Sequence, residues 1–320
     1  MSRSAAWMFR RAPRRSSFNI LVSTLLAATV LAGCAMSPPS GGQGSAPYAP
    51  RVVRVVAGEN VWGSIAAQIG GAHAAVTSII ASPQTDPHAY EPTAADARRL
   101  ADAQVAVLNG VGYDPWMTRL LAADGGTRIV LDVGELVGVS PGGNPHLWYD
   151  PGYVAQFTGA IAADLTRADP ADRAYFLRRQ AHFDHVALAP YHDAIARIRA
   201  RYSGRPVGAS ESVVVYLCRA LGLELVTPPT FLRAVTEGTD VSASDKVTID
   251  AQIRTHAIDV YLENVQNSTP DVQSQAAAAR AARIPVVAMT ETLRPAGATF
   301  QAWQTAQLRS LESALEPAHA

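Results

Sequence analysis

Two histidines of this chain sit in matching settings. His88 lies in TDPHAYEP (85–92) and His146 in NPHLWYDP (144–151), each just after a proline, with an aromatic and a carboxylate close behind. Two glutamates, Glu211 in ASESVVVYL and Glu291 in AMTETL, complete the set of residues whose types could act together. Imidazole nitrogens and carboxylate oxygens saturate a divalent transition metal without sulfur. Taken singly, each residue has a plainer reading. A histidine in a polar turn is ordinarily solvated, Glu211 could be a carboxylate favoured by a helix N-terminus, and Glu291 could stand idle in water. The elements that place them decide between the readings.

Short apolar, β-branched runs alternate with helical stretches. Strands are expected at 52–57, 76–82, 105–110 and 128–133, and again at 206–210, 223–227, 259–264 and 284–289. Thr93 with Asp96 forms a capping-box pattern at the start of one intervening helix. Such alternation predicts parallel sheets covered by helices on both faces. Between the two sets, residues 170–202 read as one long helix of ~50 Å, at 1.5 Å per residue. Its apolar positions are Phe176, Leu177, Phe183, Val186, Ile195 and Ile198, and Pro190 should kink or break it.

The expected fold class is therefore α/β: two Rossmann-like lobes, 51–168 and 205–320, joined by a long backbone helix over 169–204. Open α/β sheets bind ligands beyond the carboxyl ends of their strands. His88, His146, Glu211 and Glu291 all fall there, two in each lobe, so one ion in the cleft between the lobes could gather them. Glu263, at the end of the strand DVYLEN, is expected to face the same cleft in a supporting role. Cys218, within the apolar helical stretch VVVYLCRALGL, reads as a small buried hydrophobe.

The first 34 residues read as an address. Residues 1–33 carry Arg3, Arg10, Arg11, Arg14 and Arg15 and no acid. An apolar run from Ile20 to Leu31 follows, too short to span a bilayer and suited to a signal peptide. LAGC (31–34) resembles a bacterial lipobox, which implies cleavage before Cys34 and a lipid on its sulfur. Residues 34–50, rich in Pro, Gly and Ser, then form a flexible tether. Of 27 basic and 27 acidic residues, the leader takes five arginines, so 22 basic residues face 27 acidic ones in the remainder. That mildly acidic body argues against nucleic acid as a partner.

The segments TDPHAYEPTAADARRLADAQVAVLNGVGYDPW and NPHLWYDPGYVAQ resemble signature stretches of the zinc/manganese ABC-transporter solute-binding lipoproteins, the periplasmic metal-binding proteins of cluster A-I type. The resemblance runs over nearly all of the mature chain. It implies that His88 and His146 are metal ligands, with Glu211 at the third position and Glu291 at the fourth. Glutamate at the third position resembles the manganese and iron members, where histidine is typical of the zinc members. The fourth is usually aspartate, so Glu291 is a departure. The chain also lacks the histidine-rich loop of many zinc members.

The function implied is capture of one divalent ion, Mn2+ or Zn2+ or else Fe2+ in identity, by a monomer held at the outer face of the cytoplasmic membrane through Cys34, or periplasmic. An ABC permease is the implied partner. No GxxxxGK[ST] loop occurs, so ATP hydrolysis falls to a separate subunit. No enzymatic activity is expected. A metal-dependent hydrolase with a three-ligand zinc site is the rival from another class, but no HExxH helix or evident general base supports it. A surface adhesin is the third reading.

Overall fold

The computed structural model describes residues 52–82, 84–85 and 90–317. Cys34, the signal peptide over 1–33, the tether over 34–50 and His88 lie outside the described residues. The first sheet contains β1 (Val53–Glu59), β2 (Ala74–Ile80), β3 (Val105–Leu108) and β4 (Ile129–Asp132). Helices α1 (Asn60–Gly70), α2 (Ala94–Ala101), α3 (Pro115–Asp124) and α4 (Val133–Val137) accompany these strands, and α5 (Pro151–Ala168), α6 (Arg173–His182) and α7 (Ala189–Tyr202) follow. The second sheet contains β5 (Pro206–Ala209), β6 (Glu224–Leu225), β7 (Val260–Asn264) and β8 (Val286–Met289). With it come α8 (Val215–Leu221), α9 (Pro229–Thr236), α10 (Ala243–Arg254), α11 (Pro270–Ala281) and the last helix, α12 (Phe300–Leu315).

Every strand pairing is parallel. The strand orders are β2-β1-β3-β4 and β6-β5-β7-β8, so the two lobes share one topology. In each, the direction of winding reverses beside the lobe's first strand, which opens a crevice at the carboxyl ends of β1 and β3 in one lobe and of β5 and β7 in the other. Val105–Leu108 and Val260–Asn264 are buried throughout, as a central strand covered on both faces must be. One apolar core extends from Val53 to Leu315 and includes Trp62, Trp148, Phe157, Tyr191, Leu217 and Trp303.

Local signals are met at several points. Thr93 accepts from the Asp96 N–H at 3.3 Å while Asp96 accepts from the Thr93 N–H at 2.8 Å, the reciprocal box expected for α2. Asp150 accepts from the N–H groups of Gly152 and Tyr153 and so caps α5, an 18-residue helix that the strand-and-helix reading does not single out.

The long helix differs from expectation. Residues 173–202 form α6 and α7 with a π-helical turn over Phe183–Ala187 between them. The Leu188 N–H donates to the Phe183 carbonyl, five residues back. Pro190 has no N–H for the Val186 carbonyl, and its ring cannot pack against the preceding turn, so the backbone widens there. Buried positions consequently step from Phe183 to Leu188, then to Tyr191, Ala194 and Ile198. That shift carries Val186 outward, 58% exposed, and Leu177 also lies at the surface rather than in the core. Cys218 is buried and free in α8, and burial pushes its thiol up to about 12.

Candidate metal centre

Three of the four residues singled out by sequence come together at the crevice ends. His146 lies in the loop after α4, Glu211 two residues past β5 and Glu291 two residues past β8. All three are buried, at 0%, 0% and 1% exposure. His146 Nε2 lies 3.5 Å from Glu211 Oε1 and 3.7 Å from Glu291 Oε2. One ligand atom from each residue falls within 4.8 Å of the others. Burial therefore excludes the solvated readings of His146 and Glu291, while Glu211 also stands just before the helical turn Ser212–Val214, as its plainer reading expects.

The backbone carries each group there for local reasons. His146 is held by its neighbour Asn144, whose Oδ1 accepts from the His146 N–H at 3.0 Å and lies 2.8 Å from His146 Nδ1. Asn144 Nδ2 donates to the Ser212 carbonyl at 2.8 Å, so its oxygen must face the imidazole. Nδ1 therefore carries a proton towards Asn144, and Nε2 is the ring atom directed at the two carboxylates. This is the tautomer that a metal ligand requires. Asn109 extends the support, receiving the Trp62 indole N–H at 3.0 Å and donating to the Pro145 carbonyl at 2.9 Å.

The carboxylates are oriented as firmly. Glu211 Oε2 accepts from Asn267 Nδ2 at 2.7 Å. Glu291 Oε1 accepts from Asn264 Nδ2 at 2.7 Å, and its Oε2 accepts from the Tyr113 hydroxyl at 2.6 Å. Burial, and next the Glu291 charge, drive the Tyr113 phenol well above its ordinary value, so it stays a proton donor. Tyr113 reaches the cleft through a turn in which Gly110, Val111 and Gly112 all have positive φ, at 72°, 57° and 83°. A β-branched residue in that region is strained, and such strain collects at functional loops.

Glu263 does not face the cleft. Its Oε2 meets Arg280 of α11 at 2.7 Å, because alternate residues of β7 point to opposite sides and Asn264 takes the cleft side. The sequence reading passes over Tyr113, Asn144, Asn264 and Asn267. Of these, Tyr113 in GVGYDP and Asn144 in NPH stand within stretches already notable for their glycines or histidine, whereas the other two carry no local signal.

Beneath the site lies a second acidic pair. Asp114 accepts from the N–H groups of Asn109 and Gly110 at 2.7 and 2.9 Å, yet burial raises it to about 6. Glu59, at the end of β1, is pushed well above the usual carboxylate range by burial first and by Asp114 next. Beside the site, between the 111–113 and 142–145 loops of one lobe and α9 of the other, is a cavity of about 670 Å³ whose wall includes Tyr113, Asn144 and Ser212.

The model of the family described as "Zinc-uptake complex component A periplasmic" matches residues 55–314. The chain belongs to this family. Its relatives include the manganese-binding lipoprotein MntA of Halalkalibacterium halodurans, 28% identical over 66% of this chain and 68% of that protein. The iron-binding protein YfeA of Yersinia pestis is 26% identical over 62% and 63%. The zinc-binding protein TroA of Treponema pallidum is 26% identical over 51% and 54%. The matched part thus spans from about two thirds to about half of these relatives' length. The fold is that of solved metal-binding proteins. A Mn-bound periplasmic metal-binding protein of Candidatus Liberibacter asiaticus superposes with a TM-score of 0.70 at 18% identity, covering 82% of this chain and all of the other. FpvC of Pseudomonas aeruginosa with Mn2+ gives 0.67 at 22%, covering 83% and 98%.

Proposed function

We propose that this chain is an extracytoplasmic receptor that captures one divalent transition metal ion and delivers it to an ABC permease. The observation that carries the reading is the buried convergence of His146 Nε2 with the Glu211 and Glu291 carboxylates. Two ionised carboxylates buried side by side repel one another, and a cation between them reverses that cost. His146, Glu211 and Glu291 are the ligands in this reading, and His88 supplies the fourth donor.

Oxygen donors at Glu211 and Glu291 suit manganese or iron better than an all-imidazole set would, and relatives named for manganese, iron and zinc are all at hand. Intrinsic affinity nevertheless ranks zinc above manganese at most such sites. The remainder of the reading rests on sequence: export by the 1–33 leader, a lipid on Cys34 that holds a monomer at the outer face of the cytoplasmic membrane, and the 34–50 tether that gives it reach.

The test is metal titration of the full-length chain, purified in detergent and stripped. One Mn2+, Fe2+ or Zn2+ per chain, with binding lost in His146→Ala, is the expected result. A folded chain that binds none of the three overturns the reading.

A further inference from the structure

The turn that carries Glu291 is gripped by two side-chain amides, one from each lobe. Gln266 Oε1 accepts from the backbone N–H of Glu291 at 2.7 Å and of Thr292 at 3.0 Å. Its Nε2 donates to the Thr292 hydroxyl at 2.9 Å and to the Thr85 carbonyl at 3.2 Å. Thr85 belongs to the chain that leaves β2 in the other lobe. From that lobe, Asn60 Oδ1 accepts from the Leu293 N–H at 3.2 Å, while its Nδ2 donates to the Ala81 carbonyl at 3.2 Å. Thus both amides tie the 291–293 turn to the segment after β2.

The orientation of Gln266 is not arbitrary. Two backbone N–H groups demand its oxygen, which leaves the nitrogen facing Thr85. Its backbone is fixed as well, since the Gln266 N–H donates to Asn264 Oδ1 at 3.0 Å, and Asn264 is the residue that holds Glu291 Oε1. One amide therefore sets where the Glu291 main chain stands relative to the first lobe.

We infer that Gln266 is a positioning residue for metal capture: it fixes the Glu291 turn against Thr85 across the lobes, so that the ion is held only while both lobes are in register. The inference rests on the metal-receptor reading above. Groups that orient a ligand without touching the ion set affinity by ~10–100-fold.

The experiment compares the full-length parent, Gln266→Ala and Gln266→Glu for metal affinity, chelator-triggered release and apo melting temperature. In Gln266→Ala, affinity should fall about tenfold or more, and the apo melting temperature should drop as well because the Glu291 and Thr292 N–H groups lose their acceptor. Gln266→Glu keeps the acceptor for the Glu291 and Thr292 N–H groups but loses the donor to Thr85, and adds a negative charge that by itself tightens cation binding. Faster release than the parent in this variant supports the cross-lobe arm. Unchanged affinity in Gln266→Ala, with or without a lower melting temperature, overturns the inference, and so does Gln266→Glu holding the ion as long as the parent. A parent that binds no metal, or a His146→Ala variant that binds as the parent does, overturns the receptor reading instead.

Discussion

Asn144 stands between the two lobes with its oxygen 2.8 Å from His146 Nδ1 and its nitrogen 2.8 Å from the Ser212 carbonyl. One neutral side chain thus chooses the tautomer of the imidazole and ties its loop to the opposite lobe. Asn144→Ala should weaken metal binding ~10–100-fold, as loss of a group behind a histidine ligand does. Asn144→Asp, which still accepts from Nδ1, should retain more of the affinity. Competition against a chromophoric chelator reads both, and equal losses in the two variants would contradict the tautomer argument.

Glu291 departs from the aspartate usual at its position, and its two oxygens are committed to Asn264 and Tyr113 on one side and to His146 on the other. Glu291→Gln keeps the shape and removes the charge. Metal should then be held more weakly by at least the ~10–100-fold seen for groups behind the ligands. Heating the parent with and without ion offers a second readout. At an ion concentration a hundred times Kd the stabilisation is ~2.7 kcal/mol, and it should shrink in the variant.

Glu59 and Asp114 favour the protonated form in the folded chain. Their stabilising contribution is complete below the unfolded values and is lost as pH rises through the folded ones, for Asp114 between 3.8 and about 6. Glu59→Gln stays neutral at every pH. Its melting temperature, measured against the parent without metal, should gain steadily as pH is raised above 4.5, the ordinary value of that carboxyl. A difference that does not change with pH would show that Glu59 is not the group strained by ionisation.

Trp62 is fully buried, donates to Asn109, and packs its ring against Trp148 and Phe157. Trp62→Phe leaves Asn109 Oδ1 without the indole donor and opens space in the core. The expected cost is about 2–4 kcal/mol in urea unfolding. Because Asn109 also supports the Pro145 carbonyl ahead of His146, metal affinity should fall as well.

All eight strands among the described residues can be read from the chain as short apolar runs, and the runs are continuous, as in VAVL and VYLEN, where a central strand is buried on both faces. The convergence of His146 and Glu211 is legible because Glu211 directly follows such a run and His146 stands in polar, turn-forming company. Asn267 and Gln266 cannot, since their importance arises from neighbours 56 and 181 residues away in sequence. Glu263 is expected at the cleft where Asn264 stands, because a strand end tells that a face turns inward but not which residue takes it. The π turn is a matter of one residue: Pro190 announces an interruption, yet the sequence does not say that the frame resumes displaced by one position.

Glu211 and Glu291 and the amides that aim them come from the second half of the chain, and α12 closes back on the first helix. Phe300 donates its N–H to the Ser64 hydroxyl at 3.0 Å, and the side chains of Gln68 and Gln301 exchange hydrogen bonds at 3.0 and 2.7 Å. A chain still emerging from the ribosome therefore owns one half of the cage and not the other. On the receptor reading, the proposed donors from both lobes exist together only once synthesis has passed residue 291, so loading follows the making of the second lobe.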